Sequence, residues 1–149
     1  MTTIAQLKNS IGTETVSDWR LIDQAMVNAH AALTGDDDPI HSDIEWATKQ
    51  GPFGGTIVQG FLTLSHFTLF ARQAMGEPIE DVKFSLNYGF DKVRYVRPVL
   101  TGKRVRARFR LLEITDKGDR AVVKYGVTVE VEGSDNVHVA AEWLFSAQR

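Results

Sequence analysis

The second half of the chain alternates apolar and polar residues in steps of two, which is the period of a β-strand. The alternating runs are rich in Val, Phe, Tyr and Arg, and they begin near Val82. They predict strands near Phe84–Tyr88, Lys92–Val96, Arg104–Glu113, Ala121–Val131 and Val137–Ser146. Turn-forming residues between the runs predict turns at Pro98–Gly102, Asp116–Asp119 and Gly133–Asn136. We therefore expect consecutive antiparallel strands in this half.

The first half has helical spacing instead. Ser17 is predicted to cap a helix that runs from about Asp18 to Leu33, and Gly35 is predicted to end it. The apolar stripe of this helix would consist of Trp19, Ile22, Ala25, Met26, Ala29 and Leu33. The stripe predicts that one face of the helix packs against the rest of the protein.

A second, shorter helix is predicted a few residues further on. Ser42 and Glu45 have the spacing of a capping box, in which each side chain bonds to the backbone of the other residue. We expect this helix to end near Gln50. A glycine-rich stretch follows at Gly51–Gly55.

The longest apolar segment runs from Ile57 to Met75. Its apolar residues lie nearly all the way round a helix: Ile57, Val58, Phe61, Leu62, Leu64, Phe67, Leu69 and Phe70. A helix without a polar face has to be buried on most sides. A curved antiparallel sheet wrapped around this helix would bury it, so the sequence predicts the α+β class and the hot-dog fold.

Composition narrows the class of protein. The chain has 149 residues, which we interpret as one domain spanning residues 1–149. The formal net charge of −2 gives no support for a nucleic-acid or membrane-surface partner. Cysteine is absent, which excludes disulfides and thiolate chemistry. No signal peptide or membrane-spanning stretch is visible, and we expect a soluble cytoplasmic protein.

The loop Asp36–His41 carries the candidate chemistry. Pro39 lacks a backbone N–H and disfavours helix before it, so Asp36 and His41 are expected on a kinked turn, where both side chains can reach one water. Simpler interpretations exist. Asp36 and Asp38 are residue types common in turns and caps, and His41 could be a structural hydrogen-bonding residue. A divalent metal on these carboxylates and His41 is disfavoured, because the loop lacks the spacing of a calcium site.

Three segments together resemble a known family. The segment from Thr34 to Asp43 is similar to the hydratase motif of MaoC-like dehydratases and R-specific enoyl-CoA hydratases, Asp-x-Asn-Pro-x-His within Gly-Asp…His-x-Asp. The segment from Pro52 to Ser65 resembles the family's entry into its central helix. Asn87–Tyr95, with Pro98-Val99 and Gly102, resembles the nodulation-protein-N-like branch. The resemblance spans roughly residues 15 to 146.

The resemblance implies reversible syn hydration of a trans-2-enoyl-CoA to an (R)-3-hydroxyacyl-CoA. Asp36 would be the main base toward water, and His41 would position that water and share in proton transfer. Gly60, at the start of the buried helix, would offer its N–H to the thioester oxygen, and its missing β-carbon would allow close approach. The remaining substrate-binding candidates are Gln59, Gly55, Thr56, Ile57, Val58 and Arg94, and Ser65, Thr68 and Asp38 are candidates for supporting the pair.

Two positions depart from the family pattern. Asp38 stands where the pattern has Asn, which changes the charge beside the catalytic pair. Gln59 stands where a His often precedes the helix glycine, and we expect it at the mouth of the pocket. His30, His66 and His138 have no recognisable partner and are interpreted as structural or solvent-facing.

Arginines alternate along the predicted strand Arg104–Glu113. Arg104, Arg106, Arg108 and Arg110 would share one face of the sheet, opposite Val105, Ala107 and Phe109. We interpret most of them as a solvated outer face. One or two of them, or Arg94 and Arg97 nearby, could instead meet the phosphates of coenzyme A.

The expected partners are an acyl-CoA thioester and a second copy of the chain. The resemblance implies a homodimer whose sheets join edge to edge, with the acyl-CoA tunnel at the interface, and pairing would protect an open sheet edge. No metal or redox cofactor is required, because coenzyme A arrives with the substrate. The alternatives are a hot-dog module that binds acyl-CoA without catalysis and an acyl-CoA thioesterase.

Overall fold

A computed structural model describes residues 2–76 and 78–149. The helices are α1 (Ile4–Leu7), α2 (Gln24–Thr34), α3 (Pro39–Ser42), α4 (Ile44–Lys49), α5 (Gly60–Ser65) and α6 (Phe67–Met75), with a 3₁₀ turn at Lys8–Ser10. The strands are β1 (Glu14–Val16), β2 (Arg20–Ile22), β3 (Phe84–Tyr95), β4 (Lys103–Asp116), β5 (Arg120–Val131) and β6 (Val137–Gln148). Helices thus dominate the first half and long strands the second.

The strands form one six-stranded antiparallel sheet in the order β1-β4-β5-β6-β3, with β2 pairing beside β1 along the same edge of β4. The predicted strands are confirmed, except that Phe84–Tyr88 and Lys92–Val96 belong to the single strand β3. Two register shifts interrupt the pairing of β3 with β6, between Asn87 and Gly89 and between Phe90 and Lys92. These irregularities disturb the alternation and explain why one strand had the pattern of two.

The alternation predicted for β4 is confirmed. Val105, Ala107 and Phe109 are fully buried beneath the sheet. On the opposite face, Arg106 and Arg108 donate to the carboxylate of Glu130, over distances of 2.7 and 2.9 Å. The arginine face is therefore an outer surface held by ion pairs, as interpreted from the sequence.

The first predicted helix is wrong in its N-terminal part. Residues Arg20–Ile22 form strand β2, which pairs with β4, and the helix begins only at Gln24. Asp23 caps it by accepting from the Met26 N–H over 2.9 Å, whereas the Ser17 hydroxyl accepts from the Ala107 N–H. Backbone pairing with a distant strand therefore overrides the local helical spacing.

The helix that follows the loop also starts differently from the prediction. Asp43, rather than Ser42, caps α4 by accepting from the Trp46 N–H over 2.9 Å. The Ser42 hydroxyl instead donates to the carbonyl of Asp37. Two caps in succession, Asp38 on α3 and Asp43 on α4, give the chain a sharp bend here.

The central helix is shorter and less enclosed than predicted. Ile57 and Val58 precede it as extended backbone, and Val58 N–H bonds to the Val99 carbonyl over 2.8 Å. The helix starts at Gly60 and is interrupted at His66. Phe61 is 72% exposed in the single chain, so the apolar surface is not buried all round.

The core lies between the central helices and the sheet. Phe67 of α6 makes edge-to-face contacts with Phe90, Phe109 and Trp143, at ring-centroid distances of 6.1, 6.5 and 6.0 Å. This aromatic cluster fixes α6 against the inner face of the sheet. The loop between α2 and α3 is joined separately to the start of α5, because Gln59 Nε2 donates to the Asp36 carbonyl over 3.3 Å.

Candidate active site

Three local features shape the loop between α2 and α3: the glycine that ends α2, the aspartate that caps α3 and the proline that begins α3. Gly35 ends α2 in the left-handed conformation, with φ +80° and its N–H bonded to the Ala31 carbonyl. Asp38 accepts from the Ile40 N–H over 3.0 Å and caps α3, whose first residue is Pro39. This single helical turn directs His41 back toward the loop residue Asp36.

Asp36 and His41 face each other, as predicted. Asp36 Oδ1 lies 4.0 Å from His41 Nε2, and the two side chains are 43% and 13% exposed. The other ring nitrogen, Nδ1, lies 2.7 Å from the Ile57 carbonyl oxygen. Because a carbonyl can only accept, Nδ1 carries the hydrogen, and Nε2 of the neutral ring is left as an acceptor.

This geometry suits one water between the two side chains. An ionised carboxylate and an unprotonated Nε2 both accept hydrogen bonds, so a single water can donate one hydrogen to each. Its oxygen lone pairs then point away from both groups. A separation of 4.0 Å is too long for a direct hydrogen bond between the two atoms. The pair therefore presents two bases to one nucleophile.

A cavity of about 430 Å³ opens beside the pair. Its lining comes from the loop between α2 and α3 (below, the catalytic loop), the start of the central helix and the ends of β3 and β6. The lining residues are Asp36, His41, Ile57, Val58, Gly60, Phe61, Thr63, Tyr95, Arg97, Pro98, Val99 and Val139. Gly60 is the first residue of α5, and the first bond within the helix runs from the Thr63 N–H to the Gln59 carbonyl. The Gly60 N–H therefore precedes the bonded turns.

Gln59 does not lie at the mouth of the pocket, which corrects the sequence-based expectation. Its side chain is fully buried behind the catalytic loop. Nε2 donates to the Val27 carbonyl over 3.1 Å and to the Asp36 carbonyl over 3.3 Å. Gln59 thus joins α2, the catalytic loop and the start of α5.

The other predicted substrate-binding residues divide into two groups. Ile57 and Val58 line the cavity, whereas Gly55 and Thr56 do not. Thr56 is buried, and its hydroxyl donates to Gln24 Oε1 over 2.7 Å. The function of Thr56 in this arrangement is to hold Gln24, not to line the pocket.

Gln24 is a supporting residue that sequence reasoning missed. While its Oε1 accepts from Thr56, its Nε2 donates to the His41 carbonyl over 2.8 Å. It thereby ties the first turn of α2 to the residue that carries the imidazole. Helical spacing alone gives no sign of such a contact, because the partners lie far apart in sequence.

Ser65 and Thr68 do not support the catalytic pair in this structure. Both line a second cavity, and the Ser65 hydroxyl donates to the Leu62 carbonyl over 2.7 Å. Asp38 supports the pair only indirectly, because its carboxylate accepts from the Ile40 N–H and caps α3, the helix that carries His41. Its carbonyl accepts from the His41 N–H over 2.8 Å.

Of the arginines considered for coenzyme A, Arg97 lines the cavity and Arg94 does not. Arg97 is exposed, and its guanidinium donates to the Val137 carbonyl over 3.1 Å. Arg94 donates to the carbonyl of Val93, its own neighbour. Of the two arginines named together in the sequence analysis, Arg97 rather than Arg94 therefore lies at the site.

His66 and His138 take structural positions, as interpreted from the sequence. His66 Nδ1 lies 2.8 Å from the Leu62 carbonyl at the interruption of the central helix. His138 lies between the Pro98 carbonyl and the Ser134 hydroxyl. Within residues 2–76 and 78–149, no three His, Cys, Asp or Glu side chains are grouped as metal ligands would be.

An antiparallel sheet over a central helix, with an Asp–His pair at the start of that helix, defines a hot-dog domain equipped for acid–base chemistry. A family model described as "MaoC like domain" matches residues 6–133, and the chain belongs to this family. The family resemblance and the α+β hot-dog fold predicted from the sequence are confirmed.

Two similar sequences and one similar solved structure carry the names of a nodulation protein, a dehydratase and a hydratase. Nodulation protein N of Rhizobium leguminosarum bv. viciae is 42% identical over 144 residues, covering 95% of this chain and 88% of that protein. The 3-hydroxyacyl-thioester dehydratase Z of Mycobacterium tuberculosis is 43% identical over 127 residues, covering 85% and 82%. The solved (R)-hydratase from A. caviae involved in PHA biosynthesis shares the fold at a TM-score of 0.73 and 24% identity, covering 91% of this chain and 94% of that one.

No helix in the described part of the chain is long and apolar enough for a membrane span.

Proposed function

We propose that this protein reversibly adds water to a trans-2-enoyl-CoA and forms an (R)-3-hydroxyacyl-CoA. The observation that carries the proposal is the placement of Asp36 Oδ1 and His41 Nε2, 4.0 Å apart, in a cavity at the N-terminus of α5. Support also comes from the relative named as a 3-hydroxyacyl-thioester dehydratase, at 43% identity. Dehydration of a 3-hydroxyacyl thioester is this reaction in the opposite direction.

Asp36 and His41 would act on the same face of the substrate. The oxygen of the bridging water bonds to C3 of the enoyl group while one of its hydrogens passes to Asp36. Electron density moves onto the thioester oxygen, and C2 then takes up the proton held by the pair. One water has been added, and Asp36 is again a carboxylate. Because both new bonds form on the face that meets the pair, the addition is syn.

The developing negative charge needs a donor at the thioester oxygen. The Gly60 N–H is suited to this position because it begins α5 and lies in the lining of the same cavity. Arg97, which is exposed and lines the same cavity, would bind a phosphate of coenzyme A. The reaction needs no resident metal or redox cofactor, since coenzyme A enters as part of the substrate.

One assay separates hydration from the two alternatives. The protein is incubated with crotonyl-CoA, and both the absorbance of the conjugated thioester and the release of free thiol are followed. Hydration lowers the absorbance without releasing thiol. A thioesterase releases thiol, and a binding module changes neither signal. Either of the last two outcomes would contradict the proposed reaction.

We further propose that the active form is a homodimer or a higher even oligomer. Strand β3 is an edge of the sheet and exposes large apolar side chains: Phe84, Leu86 and Tyr88 are 54%, 55% and 56% exposed. A second copy paired along this edge would cover them and satisfy the free backbone groups. Sedimentation should give a mass of at least twice 16.6 kDa, and an active monomer would contradict this assembly.

A further inference from the structure

A second cavity lies directly beside the catalytic one. It has a volume of about 510 Å³ and lies between the central helices and strands β3 and β6. Two residues, Phe61 and Tyr95, line both cavities. These two side chains therefore form the boundary between the site of chemistry and the neighbouring space.

The second cavity is suited to a hydrocarbon. Its floor consists of the rings of Phe67, Phe90 and Trp143, which pack against one another. Its polar lining is partly occupied by internal bonds, since Asn87 Oδ1 accepts from Trp143 Nε1 over 2.9 Å and the Ser65 hydroxyl donates to a helix carbonyl. A polar ligand would find few free partners on this floor, whereas an acyl chain would be removed from water.

Tyr95 is held against the start of α5. A β-carbon built on Gly60 with ideal geometry would lie 2.8 Å from both Cε1 and Cζ of the Tyr95 ring. The ring thus occupies the space that the absent side chain of Gly60 leaves open, which corrects the expectation that this space admits the thioester. Tyr95 is 48% exposed in the single chain, and the burial of the rest of the side chain raises the pKa of its phenol above the ordinary value.

The backbone of Tyr95 allows little adjustment. It is the last residue of β3 and pairs with Val139, which itself lines the catalytic cavity. The next amide, Val96 N–H, bonds to the His138 carbonyl over 2.8 Å. Rotation of the Tyr95 ring, or of the Phe61 side chain on α5, would change the opening between the two cavities without breaking the sheet.

We propose that Tyr95 is a specificity-determining residue whose ring closes the catalytic cavity toward the apolar one and limits the length of the acyl chain. This inference rests on the proposed function. The wild-type protein handles a short enoyl chain within the catalytic cavity. A long chain has to displace the ring before its far end reaches the apolar cavity, and this displacement reduces binding and turnover together.

The test compares crotonyl-CoA with trans-2-dodecenoyl-CoA in the wild type and in Tyr95→Ala. Removing the ring joins the two cavities, so the ratio of kcat/KM for the long substrate over the short one should rise at least about tenfold, the scale on which apolar pockets discriminate chain length. Tyr95→Phe is the matched control, because it removes the hydroxyl and keeps the ring. It should leave the ratio at the wild-type value.

Several outcomes would overturn the inference. An unchanged ratio in Tyr95→Ala would remove the ring from chain-length selection. A large loss of kcat in Tyr95→Phe would assign the role to the hydroxyl instead. If Tyr95→Ala does not fold, Tyr95→Leu, which is narrower than the ring but apolar, should still raise the ratio, and failure to do so contradicts the proposal.

The proposed function and this inference fail in different ways. If no enoyl-CoA is hydrated by the wild type, the reaction is wrong. Inhibition or binding measured with the saturated thioesters butyryl-CoA and dodecanoyl-CoA then still tests Tyr95. If Tyr95→Ala binds dodecanoyl-CoA more tightly than the wild type while Tyr95→Phe does not, the role of the ring as a boundary is supported. Equal affinities for dodecanoyl-CoA in all three proteins would contradict it.

Discussion

Carboxylates occupy two different settings in this molecule. On the outer face of the sheet, Glu130 receives hydrogen bonds from Arg106 and Arg108 over 2.7 and 2.9 Å. In the cavity at the start of α5, Asp36 Oδ1 lies 4.0 Å from His41 Nε2, which is too far for a direct hydrogen bond. Each oxygen of the Glu130 carboxylate thus accepts from one guanidinium group, whereas the Asp36 carboxylate lines a cavity where water can bond to it. We expect the first setting to contribute to stability and the second, under the proposed function, to contribute to catalysis.

The pKa of Glu130 reflects its setting. Burial acts to raise this pKa, but the hydrogen bonds and charges of Arg106 and Arg108 outweigh burial and hold it below the ordinary value. An ionised group stabilised by folding in this way stabilises the fold in return. The comparison thus predicts that replacing Asp36 lowers kcat and leaves the fold intact. Replacing Glu130 should lower the free energy of unfolding and leave kcat unchanged.

The largest expected effect is on turnover at the catalytic pair. Asp36→Asn and His41→Gln should each lower kcat by at least about a hundredfold, the contribution typical of general acid–base groups. The double variant should lose little more than either single one, because both residues act on one water. Steady-state kinetics gives these values, and circular dichroism checks that the fold is retained. Near-wild-type turnover in either single variant would exclude that residue from the mechanism.

Gln59 joins the two settings, because it is buried like a structural residue and touches the catalytic loop. Gln59→Leu removes the donor to the carbonyls of Val27 and Asp36, and it also removes Gln59 Oε1, which is buried without a partner among the described residues. Because two acceptors lose a donor and one unpaired acceptor disappears, the free energy of unfolding should fall by about 1 to 3 kcal/mol. It should also lower kcat, since the backbone of Asp36 is no longer held. Denaturant unfolding and kinetics measure the two effects.

Gln50→Leu is the matched control for Gln59→Leu, because the same substitution is made at an exposed position that does not line the catalytic cavity. It should leave both stability and kcat unchanged. A Gln59→Leu protein that is less stable but fully active would show that the bond to the Asp36 carbonyl does not position the pair.

The smallest effect concerns the outer face. Glu130→Gln should lower the free energy of unfolding by about 1 kcal/mol at neutral pH and leave kcat unchanged. Because folding lowers the pKa of Glu130, its ion pairs stabilise the protein above the ordinary glutamate pKa of about 4.3, and this stabilisation is lost as the pH falls through the lower folded value. The difference from wild type should therefore shrink in acid.

Thermal unfolding measured at neutral and acidic pH tests this dependence on Glu130. Glu45→Gln serves as the control, because Glu45 forms an ion pair with Lys49 in which the two side chains are 77% and 67% exposed. That exposed pair should contribute little at any pH. An equal loss of stability in both variants, or a loss that does not depend on pH, would contradict the special setting of Glu130.

Local patterns predicted the sheet better than the helices. The alternation in β4 identified the buried and exposed faces correctly, because side-chain direction in a strand follows directly from position. The start of α2 was placed too early, because the pairing of Arg20–Ile22 with β4 depends on residues about eighty positions away. Helical spacing could not reveal this competition.

The candidate site was predictable where it rests on a contiguous motif. Asp36 and His41 lie five residues apart, and the short helix begun by Pro39 brings them together locally. Tyr95 and Gln24 reach the site only through the folded sheet and through hydrogen bonds to distant residues. Nothing in their own neighbourhoods in the sequence indicates these contacts.

The contact between Tyr95 and Gly60 also restricts how this sequence can vary. A β-carbon at position 60 would lie 2.8 Å from the ring at position 95. Alanine can therefore replace Gly60 only if the Tyr95 ring moves or a smaller residue stands at position 95. The two positions, on different elements of the fold, are therefore expected to change together during divergence. A set of relatives that freely combine alanine at 60 with an aromatic residue at 95 would show that the ring yields more easily than this packing suggests.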